Sequence, residues 1–194
     1  MATRVQSQRS ATASTRYELG RTAPLARGAL SATAVLALLR IFSSYSWFSG
    51  AFGGKDAKFA PDFLSGAGLT QRINAPAPMG FAHTAANHTV ASFLTGTVVP
   101  HASLFAWLIA LGELGVGVSL LLGLFTRLGG FFAIVQAATY MLVAGGGGAD
   151  TIGHNYMLIL AGFVALLAAS GRTFGLDQLL VSRFPDSRLL RVVS

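Results

Sequence analysis

The sequence predicts an all-α fold: an integral membrane four-helix bundle with a long extracytoplasmic loop between spans 1 and 2. Three observations carry that expectation. The 194-residue chain is 53% hydrophobic and only 11% charged, whereas soluble domains carry about 25% charged residues. Its apolar residues gather into four separate stretches, each of about 17 to 23 residues. At about 1.5 Å of helix rise per residue, each is long enough to cross a hydrocarbon core of about 30 Å. Finally, most of the fixed positive charge lies outside those stretches, towards the two ends of the chain.

Residues 1–28 are rich in Ser, Thr and Ala and hold five arginines but one acid, Glu18. No apolar period runs through them, so they read as a mobile basic cytoplasmic tail. The same Arg-rich, acid-poor composition also suits an organelle transit peptide. The membrane domain is expected over 29–172, with spans at about 29–48, 103–125, 128–144 and 154–170. Arg40 and the length of the first span argue against a cleaved signal peptide.

Residues 49–102 form the long loop, read as a cap of interfacial helices over the bundle. Phe81, Val90, Phe93 and Leu94 suit one side of a short helix, and "NAPAP" suits a rigid connector. In 173–194 an amphipathic cytoplasmic segment is expected. Leu176, Leu179, Leu180 and Phe184 would face lipid, and Asp177, Gln178 and Arg183 would face water.

Loop charges set the orientation. The N-terminal tail, the turn holding Arg127, and the segment with Arg172, Arg183, Arg188 and Arg191 are all arginine-bearing. That bias puts both termini in the cytoplasm of a bacterial or archaeal inner membrane. The net charge of +7 is therefore read as anchorage to anionic lipid headgroups, and no nucleic-acid partner is expected. The chain has no cysteine, which excludes disulfides, a C-x-x-C pair and cysteine-ligated iron–sulfur clusters. No metal site is expected either; His83 and His88 lack further ligands at a suitable spacing.

Two charges lie inside apolar stretches. Burying either Arg40 or Glu113 alone costs about 2.5–3.5 kcal/mol on insertion scales. The first two spans run in opposite directions, and each charge lies about ten residues from its span's start. A midplane ion pair between Arg40 and Glu113 is therefore expected. It would either fix helix register or form the polar floor of a ligand or proton site. Nearer the outer face come Tyr45, Trp47, His101, His154 and Asn155. An aromatic belt or a helix cap accounts for several of them. The same residue types also offer hydrogen bonds and a proton carrier to a quinone headgroup.

Three segments carry a resemblance: "LLRIFSSYSWFSGAF", "ALGELGVGVSLLLGLFTRLGG" and "NYMLILAGFVALLAASGRTFGLD". Together they resemble the DoxX/DoxD family of small four-span membrane proteins. The long outer loop running through "VVPHASLFAWLIALGE" is closer to the DoxD branch. The resemblance implies a link to thiosulfate:quinone oxidoreductase, with quinone as acceptor and a second, soluble subunit as partner. The expected function is thus a quinone-linked oxidoreductase subunit working within membrane lipid. The alternative is a non-catalytic accessory subunit of a larger respiratory or stress-response membrane complex. Solute transport is a weaker third reading, because four spans without an internal repeat leave little room for alternating access.

Overall fold

The computed structural model describes residues 31–54, 57–168 and 170–194, so the tail expected over 1–28 lies outside the described residues. Helix α1 (Ala32–Phe52) is the first long rod. Short helices α2 (Pro61–Leu64), α3 (Ala67–Asn74), α4 (Phe81–Thr84) and α5 (His88–Phe93) follow. Three more long rods complete the bundle: α6 (Ala102–Leu122), α7 (Thr126–Ala144) and α8 (Ala149–Leu167). The chain closes with α9 (Leu176–Arg183) and α10 (Arg188–Val193). The four long helices are apolar and long enough to cross a membrane, and no strand occurs among the described residues.

The span boundaries differ from expectation in instructive ways. Helix α8 begins five residues earlier than the apolar stretch, with Asp150 in its first turn, where a carboxylate is favoured by the helix dipole. The second span does not begin at Ser103 but runs as one rod from His88 to Leu122. A π-turn at Leu94–Val98 and a 3₁₀ turn at Val99–His101 join α5 to α6. Pro100 has no amide hydrogen to give to the preceding turn, and a local change of helical pitch absorbs that loss. Asn87 opens the rod, its Oδ1 accepting from Val90 N at 3.0 Å.

Helix α1 packs against α6, and α7 packs most extensively against α8. The α7–α8 seam is built from small residues. A methyl added at Gly130 would stand 2.7 Å from the Gly162 carbonyl oxygen and 2.7 Å from Leu166 N. Backbone therefore lies on backbone, and Ala133, Ala137 and Ala165 complete the contact. Lipid tails are as apolar as leucine, so such helices associate through close van der Waals fit rather than through water exclusion. The outward faces carry Leu38, Phe42, Leu104, Phe163 and Leu167, all exposed, as a lipid-facing surface requires.

The described residues 57–101 form a structured cap. The chain folds back after α1, with Lys58 N donating to Gly50 O and Phe59 N to Ala51 O. Phe63, Leu69, Ile73, Leu94 and Val98 then form a second small core on Ala106 of α6. The cap covers one end of the bundle, the loop end. Residues 170–194 lie at the other, the tail end.

Candidate functional site

At the tail end the α6–α7 turn is clamped by two distant charges. Gly123 turns the chain in the left-handed region (φ 62), and Phe125 follows at φ 50. No local side chain caps α7. Asp177, fully buried, does so from 51 residues away, accepting from Phe125 N at 2.7 Å and Thr126 N at 2.9 Å. A carboxylate on the free amides of a helix start satisfies orphan donors and the dipole together. Arg40 works on the opposite polarity. Its guanidinium donates to Leu120 O at 2.7 Å, in the last turn of α6, and to Phe174 O at 3.0 Å. The acid whose charge acts on Arg40 is Asp177.

The expected midplane pair is therefore not formed: Arg40 and Glu113 have different partners at different heights. Arg40 lies level with Leu120, while Glu113 lies level with Gly50. Ten residues of α1 separate the two levels, about 15 Å along the axis. Counting residues from the start of each span misses this because α1 and α6 are offset along their axes. Asp177, expected to face water, is likewise the buried cap of α7.

Glu113 belongs instead to a polar cluster nearer the loop end. Its side chain is 3% exposed, with Lys58 Nζ 3.6 Å from Oε1. Tyr140 of α7 donates its hydroxyl to Oε1 at 2.6 Å. Gln136, one turn earlier on α7, donates from Nε2 to the Tyr140 oxygen at 2.9 Å and to Ile109 O at 3.2 Å. Position 50 is glycine for lack of room. A methyl there would stand 2.7 Å from Glu113 Oε2. That Oε2 is buried and has no hydrogen-bond partner.

The cluster opens onto a cavity of about 1100 Å³ inside the bundle. Drug-sized ligands occupy sites of about 300–1,000 Å³, mostly apolar with a few convergent polar groups, and this cavity has that character. Glu113, Lys58, Tyr140 and Gln136 line it, as do Trp47, His154 and Asn155. Asn155 is 4% exposed, donates from Nδ2 to Thr151 O at 2.8 Å, and leaves Oδ1 unpartnered.

Of the residues expected at a headgroup, Trp47, His154 and Asn155 thus meet at one cavity. Tyr45 and His101 do not line it. Tyr45 is 71% exposed, because the buried face of α1 runs through Ser43, Ser44 and Trp47 and turns position 45 outward. His101 is exposed at the junction into α6.

Lys58, Gln136, Tyr140 and Gly50 are the site residues that the sequence reading passed over. Gln136 and Tyr140 do leave a signal, polar side chains one turn apart in an apolar span. Lys58 leaves none, since only the fold-back after α1 brings it to Glu113.

Comparison with known proteins gives one finding. A family model described as TQO small subunit DoxD matches residues 78–193, from just before α4 to the end of α10. Glu113, Gln136, Tyr140, Asn155 and Asp177 fall inside the match, whereas Arg40, Trp47, Gly50 and Lys58 precede it. No match was found among curated proteins, nor among solved structures.

Proposed function

Starting from a chain that belongs to the DoxD family, we propose that its bundle binds a membrane quinone at Glu113, as the membrane subunit of a quinone-linked oxidoreductase. The observation that carries this reading is the state of the Glu113 carboxyl. One oxygen is held by Tyr140 and Lys58, the other is buried against Gly50 without a partner, and the side chain lines the cavity. A buried polar atom without a partner is costly, and this one belongs to a side chain bordering open space, where a small rotation would bring it to a ligand.

The residues present fit such a ligand. An ionised Glu113 carboxyl would accept from a quinol hydroxyl and, once protonated, would donate to a quinone carbonyl, so one group would match both ends of the redox couple. Tyr140 and Lys58 hold Oε1 and aim the carboxyl. Gln136, anchored on Ile109 O, fixes the Tyr140 oxygen. Asn155 is a second polar side chain lining the same cavity. A bound quinone would supply a two-electron, two-proton acceptor for electrons from thiosulfate or another donor delivered by a partner subunit. The word subunit in the family description supports such a partner.

The tail end carries Arg127, Arg172, Arg183 and Arg188. An arginine excess of this kind supports a cytoplasmic tail end, with the Glu113 cluster towards the opposite face. The test is purification in mild detergent, with solvent extraction and mass spectrometry of what remains bound. Quinone at near one per chain, lost in Glu113→Met, is the expected result. A stoichiometric protein partner with no quinone in either preparation would instead support a non-catalytic accessory role.

A further inference from the structure

The cavity is larger than a headgroup needs, and its shape follows from the two helices that line most of it. On α6 its lining runs from Phe105 to Ser119, a rise of about 21 Å along the helix. On α7 it follows one face through Leu128, Phe132, Gln136 and Tyr140. These two helices touch at two levels. A methyl on Gly112 would stand 3.0 Å from Gln136 Oε1. One on Gly129 would strike the Ser119 hydroxyl. Between these levels, at Gly115, an added methyl meets nothing within 4 Å.

The α6–α7 seam is thus closed above and below and open in between. The open stretch is flanked by exposed Leu111, Leu128, Phe132 and Val135, which together make it apolar. It begins two residues from Glu113 and faces outward, where the bilayer would be.

Resting on the quinone reading above, we infer that the window at Gly115 between α6 and α7 is the lateral channel for the ligand's hydrocarbon tail. The site therefore selects a long-tailed redox lipid entering from the bilayer over a tailless ring arriving from water. Continuity carries the argument. The polar end of the cavity is lined by Glu113, and its apolar end reaches the exposed Gly115, where the surface is open. A soluble ring needs no such exit, and a packed seam like that of α7 and α8 would have closed it.

The probe is a benzoquinone with a decyl chain, compared with the same ring lacking it, each titrated into the chain in lipid nanodiscs. The chain contains two tryptophans, and Trp47 lines the cavity. With Trp107→Phe as background, quenching of Trp47 fluorescence reports binding without any turnover. Gly115→Phe should weaken binding of the decyl compound by about tenfold, the usual scale of forcing extra bulk into an occupied contact. It should leave the tailless ring within about twofold. Val135→Phe, plugging the window from the α7 wall between the two contacts, should do the same. Leu104→Phe, on an exposed face away from the cavity, should change neither.

Equal losses for both rings, or no loss for either, would overturn the channel while the headgroup site stands. Failure of the unaltered chain to bind either ring would overturn both readings.

Discussion

The two ends of this bundle treat buried charge in opposite ways. At the tail end, Arg40 and Asp177 put their charged groups on backbone termini, the last turn of α6 and the first amides of α7. Space there is full. A methyl at Gly123 would strike the Arg40 guanidinium, and one at Gly171 would strike Thr126 and Asp177. At the loop end, Glu113 has one oxygen held and one left over against Gly50, and its side chain lines a cavity of about 1100 Å³. Arg40 Nε and Thr126 Oγ1 also lack partners, yet their surroundings leave no room for a ligand. Buried charge against packed backbone builds the fold; buried charge against open space waits for something to bind.

The sharpest way to break that contrast is at the clamp. Asp177→Ala removes two charge-assisted hydrogen bonds and uncaps α7, a loss of about 3 kcal/mol. The unfolding midpoint in detergent should fall by about 10 °C, with quinone affinity of the folded fraction unchanged. Next comes Arg40→Met, which keeps the bulk but strands the Leu120 and Phe174 carbonyls. It should lower the midpoint by about half as much, again without touching affinity. A loss of affinity in either variant would erase the division between the two ends.

Glu113→Gln should do the reverse. Glutamine keeps the shape and an acceptor for Tyr140, so the midpoint should move by no more than about 2 °C. Affinity for the quinol should drop about tenfold, the usual scale for losing one hydrogen bond to a charged group, because glutamine turns a donor towards the ligand in place of the ionised acceptor. Tyr140→Phe frees the carboxyl without removing it and should cost about threefold in affinity. Lys58→Met should be the mildest. Its ion pair, 3.6 Å long, is beyond hydrogen-bond reach, so its loss should cost less affinity than that of the 2.6 Å Tyr140 bond.

Much of the fold is legible in the sequence, because four apolar stretches of membrane-spanning length leave few alternatives. The importance of Arg40 and Glu113 is legible too, since charges in such stretches stand out. Their partners are not legible. The offset of α1 against α6 depends on where Trp47 and Gly50 seat against Val116, Gly117 and Glu113, which no local pattern records. Asp177 reads as a water-facing residue of an amphipathic helix until the chain folds it under the α6–α7 turn. Tyr45 and His101 suit a headgroup by type, but helix phase turns one outward and leaves the other exposed where the pitch changes at Pro100. Lys58 reaches the site only through the fold-back after α1.

The central claim is that Glu113, and not Arg40 with Asp177, marks the ligand site. Its most direct test is the Trp47 quenching titration with the decyl-tailed quinone in the Trp107→Phe background, run side by side on Glu113→Met and Asp177→Asn. A binding curve shifted about tenfold is expected for Glu113→Met, which removes the donor to the quinone carbonyl, and an unshifted one for Asp177→Asn. Superimposable curves for Glu113→Met and the unaltered chain, or a shift caused by Asp177→Asn, would contradict it.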